Sequence, residues 1–230
     1  MKKTVLITGG NKGIGLEVTR IFLQRGFFVI VIARDFTDFE FKDHADVRCL
    51  EFDLLHVEKI AQLIEQIKKI DILINNAGVM YSLPFDAYSS QKVASMLALN
   101  IEAPIKLIEL VSKKMPDGGR IVNNASIAGQ IGHPDVWYGI TKAGLINATK
   151  SFAKIFDGKI IINAVAPSPV ETDMLHVIPE ARREAFLKTV TAKRFAYTEE
   201  IAKTMVWLAL DAPEYINGTT IDINSASYLR

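Results

Sequence analysis

Tyr138 and Lys142, in the stretch WYGITKAG, are four residues apart. On a helix that spacing puts both side chains on one face. A phenol titrates at about 10 and is a poor acid or base at neutral pH. An ammonium beside it stabilises the phenolate and draws the pKa down toward a useful range. Taken alone, the spacing is common, and an ordinary amphipathic helix accounts for it. A second group is the set of glycines Gly9, Gly13 and Gly15 in TGGNKGIG, directly after the β-branched run TVLIT. Such glycines let the backbone approach a ligand closely, and a helix N-terminus favours a phosphate through its free N–H groups and dipole. An ATPase-type phosphate loop is excluded, because Leu16 and Glu17 stand where it needs lysine and a hydroxyl. Three residues between Gly9 and Gly13 also depart from Gly-x-Gly-x-x-Gly. A dinucleotide pyrophosphate is the ligand that best fits a glycine turn between a strand and a helix.

These groups need a scaffold, and strand-like runs alternate with helical periods along the chain. The expected strands are Thr4–Thr8, Phe28–Ala33, Asp46–Asp53, Asp71–Gly78, Arg120–Ser126, Lys159–Pro167 and the closing TTIDIN. FVIVIA is continuously apolar, as in a sheet covered on both faces. Helices are expected over GIGLEVTRIFLQRG, VEKIAQLIEQIKK, Ser90 to Met115, Val136 to Phe156 and Thr198 to Leu210. Between Ala33 and Asp46 only a weak or truncated helix is expected. With right-handed crossovers, this alternation gives an α/β Rossmann fold. It is read as a single doubly wound parallel sheet of about seven strands in one domain over residues 1–230.

Charge addresses the cofactor type. Sites for the unphosphorylated dinucleotide usually place an acid after the second strand to hold the ribose 2′-OH. Here that strand ends Ala33-Arg34-Asp35, and Lys12 sits inside the glycine turn. Lys12 and Arg34 converging on the ribose suit a 2′-phosphate through charge-assisted hydrogen bonds, so NADP(H) is favoured over NAD(H). Asp35 as the ribose ligand is the competing assignment.

Composition excludes other classes. A net charge of +1 over 230 residues gives no field directed at nucleic acid or an anionic membrane. Neither is an expected partner. The single cysteine, Cys49, allows no intramolecular disulfide and reads as a buried strand residue. His44, His56, His133 and His176 form no His-x-x-x-His pair, so no metal site is expected. The apolar run in MKKTVLITGG is too short for a signal-peptide core or a bilayer span, and a reducing cytoplasm is the expected location.

TGGNKGIG, NNAG (Asn75–Gly78), Asn100, Ser126, Tyr138-x-x-x-Lys142 and NAVAPSPVETDM occur in one order over essentially the whole chain. Together they resemble the short-chain dehydrogenase/reductase family. The resemblance implies hydride transfer between a nicotinamide cofactor and a carbonyl compound or secondary alcohol. Tyr138 would be the general acid, and Ser126 would hydrogen-bond the substrate carbonyl oxygen. Lys142 would bind the nicotinamide ribose together with Tyr138, and Asn100 would hold a water linking Lys142 to solvent. The cofactor site would comprise Gly9, Asn11, Lys12, Gly13, Ile14, Gly15 and Arg34. Asp53 and Leu54 would meet the adenine, and Asn76, Ala77 and Gly78 the adenosine ribose. Pro167, Val170 and Thr172 would lie beside the nicotinamide. Ser126 is not read as a hydrolase nucleophile, since Asn124-Ala125-Ser126-Ile127-Ala128 lacks the Gly-x-Ser-x-Gly elbow.

Pro167-Ser168-Pro169 departs from the family's usual Pro-Gly, and residues 169–194 look like its substrate lid. The overall look is that of bacterial 3-oxoacyl-(acyl-carrier-protein) reductases. An acidic carrier should dock on a basic patch, for which Lys113, Lys114, Arg120 and Lys159 are candidates mixed with Asp117 and Asp157. A reductase of small free carbonyl compounds, an alcohol dehydrogenase and a non-catalytic dinucleotide-binding regulator are the alternatives. Relatives of this length suggest a homotetramer or dimer. The charge argument makes a direct prediction. Arg34→Ala weakens NADPH binding about tenfold or more while leaving NADH almost unchanged, as expected for one lost charge-assisted bond. Equal losses in calorimetric titrations with the two cofactors would remove the 2′-phosphate assignment.

Overall fold

Seven apolar runs form seven strands in the computed structural model, which describes residues 2–229. They are β1 (Thr4–Thr8), β2 (Phe28–Ala33), β3 (Val47–Glu51), β4 (Ile72–Asn75), β5 (Gly119–Asn124), β6 (Ile160–Pro167) and β7 (Thr220–Ile223). All neighbours pair in parallel, in the order β3-β2-β1-β4-β5-β6-β7. The order reverses beside β1, which has β2 on one side and β4 on the other. This is a doubly wound α/β Rossmann fold, with its switch point between β1 and β4.

The pleat divides the core in two. Val5, Ile7, Val29, Val31, Ile72 and Ile74 face one side, against Val18 and Phe22 of α1 (Gly13–Gln24) and Ile201 and Met205 of α7 (Thr198–Leu210). Leu6, Ile30, Ile32, Leu73 and Ile121 face the other. There they meet Ile60 and Ile64 of α2 (Ile60–Glu65), Leu107 and Ile108 of α4 (Ala103–Ser112), and Phe152 of α5 (Val136–Ile155). Burying one such side chain stabilises the fold by about 1.5–3 kcal/mol. Polar groups also cross the sheet. Asn75 Nδ2 donates to Asn123 Oδ1 at 2.9 Å, and Asn123 Nδ2 to Thr149 Oγ1 of α5 at 2.9 Å.

The structure departs from the sequence reading in several places. Residues 34–46 contain turns and no helix, with Phe36, Phe39, Phe41 and His44 in successive ring contacts. The helix expected over Val57–Lys69 is shorter, a 3₁₀ turn (Val57–Lys59) followed by α2. The long helix from Ser90 is three pieces: α3 (Ser90–Leu97), a π turn (Ala98–Glu102) and α4. Cys49 lies on the edge strand β3 and is only half-buried. An additional helix, α6 (Glu180–Thr189), follows a 3₁₀ turn (Asp173–Val177). Among the described residues no helix is long and apolar enough to cross a membrane.

One glycine contact fixes how α5 lies on the end of β5. A Cβ on Gly129 would fall 2.5 Å from Ala143 N and 2.5 Å from the Lys142 carbonyl carbon, both backbone atoms that cannot yield cheaply. Gly132, three residues on, has nothing within 4 Å. Gly129→Ala therefore destabilises by about 3 kcal/mol, the upper range for overpacking, and lowers the thermal midpoint by roughly 6–12 °C. Gly132→Ala leaves it unchanged. Similar midpoints for the two variants in a calorimetric scan would remove the close-approach argument.

Candidate active site

The carboxyl ends of β1, β4, β5 and β6 gather the polar groups. β5 ends at Asn124, and Ser126 leads into a 3₁₀ turn (Ile127–Gly129). Ser126 Oγ accepts from Ala128 N at 3.1 Å and donates to Pro167 O at 3.4 Å. Asp135 caps α5, its Oδ1 accepting from Tyr138 N at 3.0 Å. With Gly129 against α5, Ser126 lies next to Tyr138. Lys142 Nζ donates to Asn124 O at 2.8 Å and sits 5.6 Å from the Tyr138 ring centroid. Tyr138 is 8% exposed and Lys142 4%.

Asn100 reaches the same place from the π turn, a helical irregularity frequent at functional sites. Its Oδ1 accepts from Val79 N at 2.8 Å, and its Nδ2 donates to Val79 O at 2.9 Å and Thr141 Oγ1 at 3.1 Å. A Cβ on Gly78 would lie 3.3 Å from Asn100 Oδ1 and 3.6 Å from Lys142 Nζ. Asn100, Ser126, Tyr138 and Lys142 are thus brought together, with Gly78 between two of them.

The electrostatics overturn one sequence expectation. The Tyr138 phenol is pushed up to about 12, not down. Burial is the main cause; the Ser126 hydroxyl beside the phenol pulls the other way, and the Asp135 carboxylate adds to the rise. Burial also lowers Lys142 to about 8. Burial sets the direction of both shifts, each toward the neutral form.

On the other side of the switch point lies the glycine turn. Gly9 and Gly13 have φ of +63° and +54°, left-handed values that favour glycine. A Cβ on Gly15 would fall 2.0 Å from Gly9 O. No side chain caps the N-terminus of α1, so its first N–H groups face an open cradle that fits a pyrophosphate. Asn11 Nδ2 donates to Asp35 O at 2.8 Å, tying this turn to the end of β2. Asn76 is held to the end of β1, its Nδ2 3.2 Å from both Thr8 O and Gly9 O.

A family model described as enoyl-(acyl carrier protein) reductase matches residues 9–225. The 3-oxoacyl-(acyl-carrier-protein) reductase FabG of Thermotoga maritima is 31% identical, with 96% of each chain covered. The chain belongs to the short-chain dehydrogenase/reductase family. Among solved structures, 4-hydroxyisoleucine dehydrogenase complexed with NADH is similar with a TM-score of 0.90, at 25% identity over 98% of each chain. ElxO with NADP bound has a TM-score of 0.86 at 28% identity, with 99% of each chain covered. As a family member, the protein is an NAD(P)-dependent oxidoreductase.

The remaining residues singled out on family grounds are dispersed around this edge. Asp53 Oδ1 accepts from Leu55 N at 3.0 Å, and Leu54 is buried. Ala77 N donates to Thr8 Oγ1 at 3.0 Å, and Ile14 packs on the α1 face of the core. Val170 bridges to Ala196, and Thr172 lies over Gly13, 3.4 Å from where a Cβ would sit. Ser168 in place of the family's glycine has no left-handed angle, and its N–H donates to Ile223 O at 3.0 Å. The departure carries no backbone strain. Lys12 and Arg34 are not a ready-made pair: Lys12 Nζ is 2.8 Å from Asp173 Oδ2, an exposed contact, while Arg34 is exposed. Asp35 is committed to Thr37, accepting from its N–H at 2.8 Å and its hydroxyl at 2.7 Å, and these bonds hold it below the usual carboxylate range.

Sequence reasoning missed Asp135, fully buried and bonded to both Tyr138 N and Ser82 N. Its signal was an aspartate directly before a helical period, the ordinary N-cap preference. The titration of Lys142 checks the electrostatics. Its 15N resonance moves with a midpoint near 8 in the cofactor-free protein, not 10.5. Between these values the unfolded chain holds a proton that the native chain lacks, so this group raises stability as pH rises. Tyr138 acts oppositely between pH 10 and 12. A Lys142 midpoint above 10 would refute its burial as a charged group.

Proposed function

We propose that the chain is an NADP(H)-linked carbonyl reductase in which Tyr138 is the general acid. The observation carrying this reading is the convergence of Ser126, Tyr138, Lys142 and Asn100, with the phenol pushed up to about 12 and therefore protonated at neutral pH. When bound, the nicotinamide supplies the hydride. Tyr138 gives its proton to the developing alkoxide, and Ser126 donates a hydrogen bond to the same oxygen. Lys142, held at Asn124 O beside Gly78, keeps a positive charge behind the phenol and binds the ribose hydroxyls. Asn100 positions Val79 and Thr141 around that ammonium and keeps a water path to it. The cradle from Gly9 to Gly15 takes the pyrophosphate, with Asn76, Ala77 and Gly78 on the adenosine side and Val170 and Thr172 on the nicotinamide side.

The phosphorylated cofactor is favoured because Asp35 already serves Thr37, leaving Arg34 and Lys12 for a 2′-phosphate. Lys12 must leave Asp173 to reach it, a small loss for an exposed ion pair. Residues 169–194, with α6, form the substrate lid.

For the substrate, small free carbonyl compounds are preferred to a carrier-bound acyl chain, although the Thermotoga maritima relative is a carrier-protein reductase by name. Lys114 Nζ donates to Ile64 O at 2.9 Å, and Arg120 Nη1 to Ala212 O at 2.9 Å, so two cations of the candidate docking patch cap helix ends. They also precede or begin β5, at the opposite sheet edge from Ser126. Tyr138→Phe is predicted to lower kcat for carbonyl reduction by about 10²–10⁴ while retaining NADPH binding. Undiminished turnover would remove Tyr138 from the chemistry. A wild-type protein that binds NADPH and reduces no carbonyl compound would favour the regulatory reading.

A further inference from the structure

α6 brings a positive charge beside Ser82 and His133, the latter in ring contact with Tyr138. Arg182 is half-buried in its first turn, and Nη1 donates to Ser82 Oγ at 2.9 Å. Ser82 is a rigid dock: it is buried, has φ +55°, and its N–H donates to Asp135 Oδ2 at 3.0 Å. The other Asp135 oxygen accepts from Tyr138 N, so one carboxylate fixes both the start of the catalytic helix and the seat of Arg182. The ion pairs of the described residues include neither Arg182 nor Arg183. Arg183 also buries its Nε with no partner.

His133 connects this charge to the reacting groups. Its ring centroid is 5.8 Å from that of Tyr138. Nδ1 lies 3.2 Å from Asp135 N and 3.1 Å from Asp135 O, so the Asp135 backbone holds the ring in place in either tautomer. Burial first, and the nearby Arg182 charge as well, lower the His133 pKa and keep the ring neutral. Around these groups the surface is apolar, with Met80, Trp137, Met174 and Ile178 packed about Tyr138. A guanidinium with free donors behind an apolar wall matches a carboxylate separated from the reacting carbonyl by a short carbon chain.

Resting on the ketoreductase reading, we infer that the substrate is a small oxo acid and that Arg182, seated on Ser82 by Asp135, is the residue that binds its carboxylate. Arg182 touches the substrate away from the reacting carbon, so its effect is on which substrate binds. A lid that closes over such a substrate completes the guanidinium's coordination, whereas a neutral ketone leaves it with Ser82 alone.

The test compares 4-oxopentanoate with its methyl ester, at matched ionic strength and saturating NADPH. Binding is read by the shift in thermal midpoint and turnover by NADPH oxidation. The wild type should bind the acid at least tenfold more tightly than the ester. Arg182→Gln should bring the two within about threefold by weakening the acid alone, and Arg182→Lys should fall between. No preference for the acid in the wild type would overturn the assignment. So would equal losses for acid and ester in Arg182→Gln, which is the result expected if the arginine merely latches the lid. Because the midpoint shift needs no chemistry, saturable acid binding without NADPH oxidation would support the anion site while overturning the oxo acid as the reduced substrate.

Discussion

Burying the ammonium of Lys142 with a single carbonyl acceptor, Asn124 O, is the constraint on which the site depends. A charged group removed from water needs compensation, and burial lowers its pKa to about 8. Compensation of that kind requires β5 to end at the right level, α5 to lie against it without a side chain between, and the end of β4 to stay small. Gly129 and Gly78 meet the last two conditions. The first follows from the buried amide chain Asn75–Asn123–Thr149, which fixes β4, β5 and α5 at one height. A one-residue shift in β5 would turn Asn123 and Asn124 to the wrong faces.

The same desolvation acts on Tyr138 with the opposite sign for acidity. A raised phenol and a lowered ammonium both suppress charge inside a dry pocket. In the proposed reaction the free protein would hold this proton ready to give, and reduction would start from the populated protonation state. Oxidation would begin from a rare phenolate unless the bound cofactor changes the balance.

Much of this was legible in the sequence. β1, β2 and α7 begin and end where continuous apolar runs and helical periods place them, because burial on both sheet faces or one helix face leaves little choice. The Tyr138–Lys142 spacing and the glycines were ambiguous one by one and pointed to a site only through the order of motifs that resembles the family. What could not be read depended on the surroundings. The direction of the Tyr138 shift requires knowing how much water reaches the ring. α6 escaped notice because EARREAFLKT has no strong apolar stripe. Turns take the place of the weak or truncated helix expected over residues 34–46, where Phe36, Phe39 and Phe41 meet in tilted and edge-on ring contacts. Lys12 had an obvious cationic reading, yet its partner Asp173 is 161 residues away.

β7 closes the sheet and also braces the neighbourhood of Ser126. Ser168 N–H has Ile223 O as its acceptor, and Gln130 Nε2 reaches Asp222 Oδ1 at 2.7 Å. Those bonds brace the backbone beside Pro167, which in turn holds Ser126. This brace is complete only with residue 223, in the last strand of the sheet. The support beside Ser126 thus comes from far along the chain, Gln130 and Asp222 being 92 positions apart.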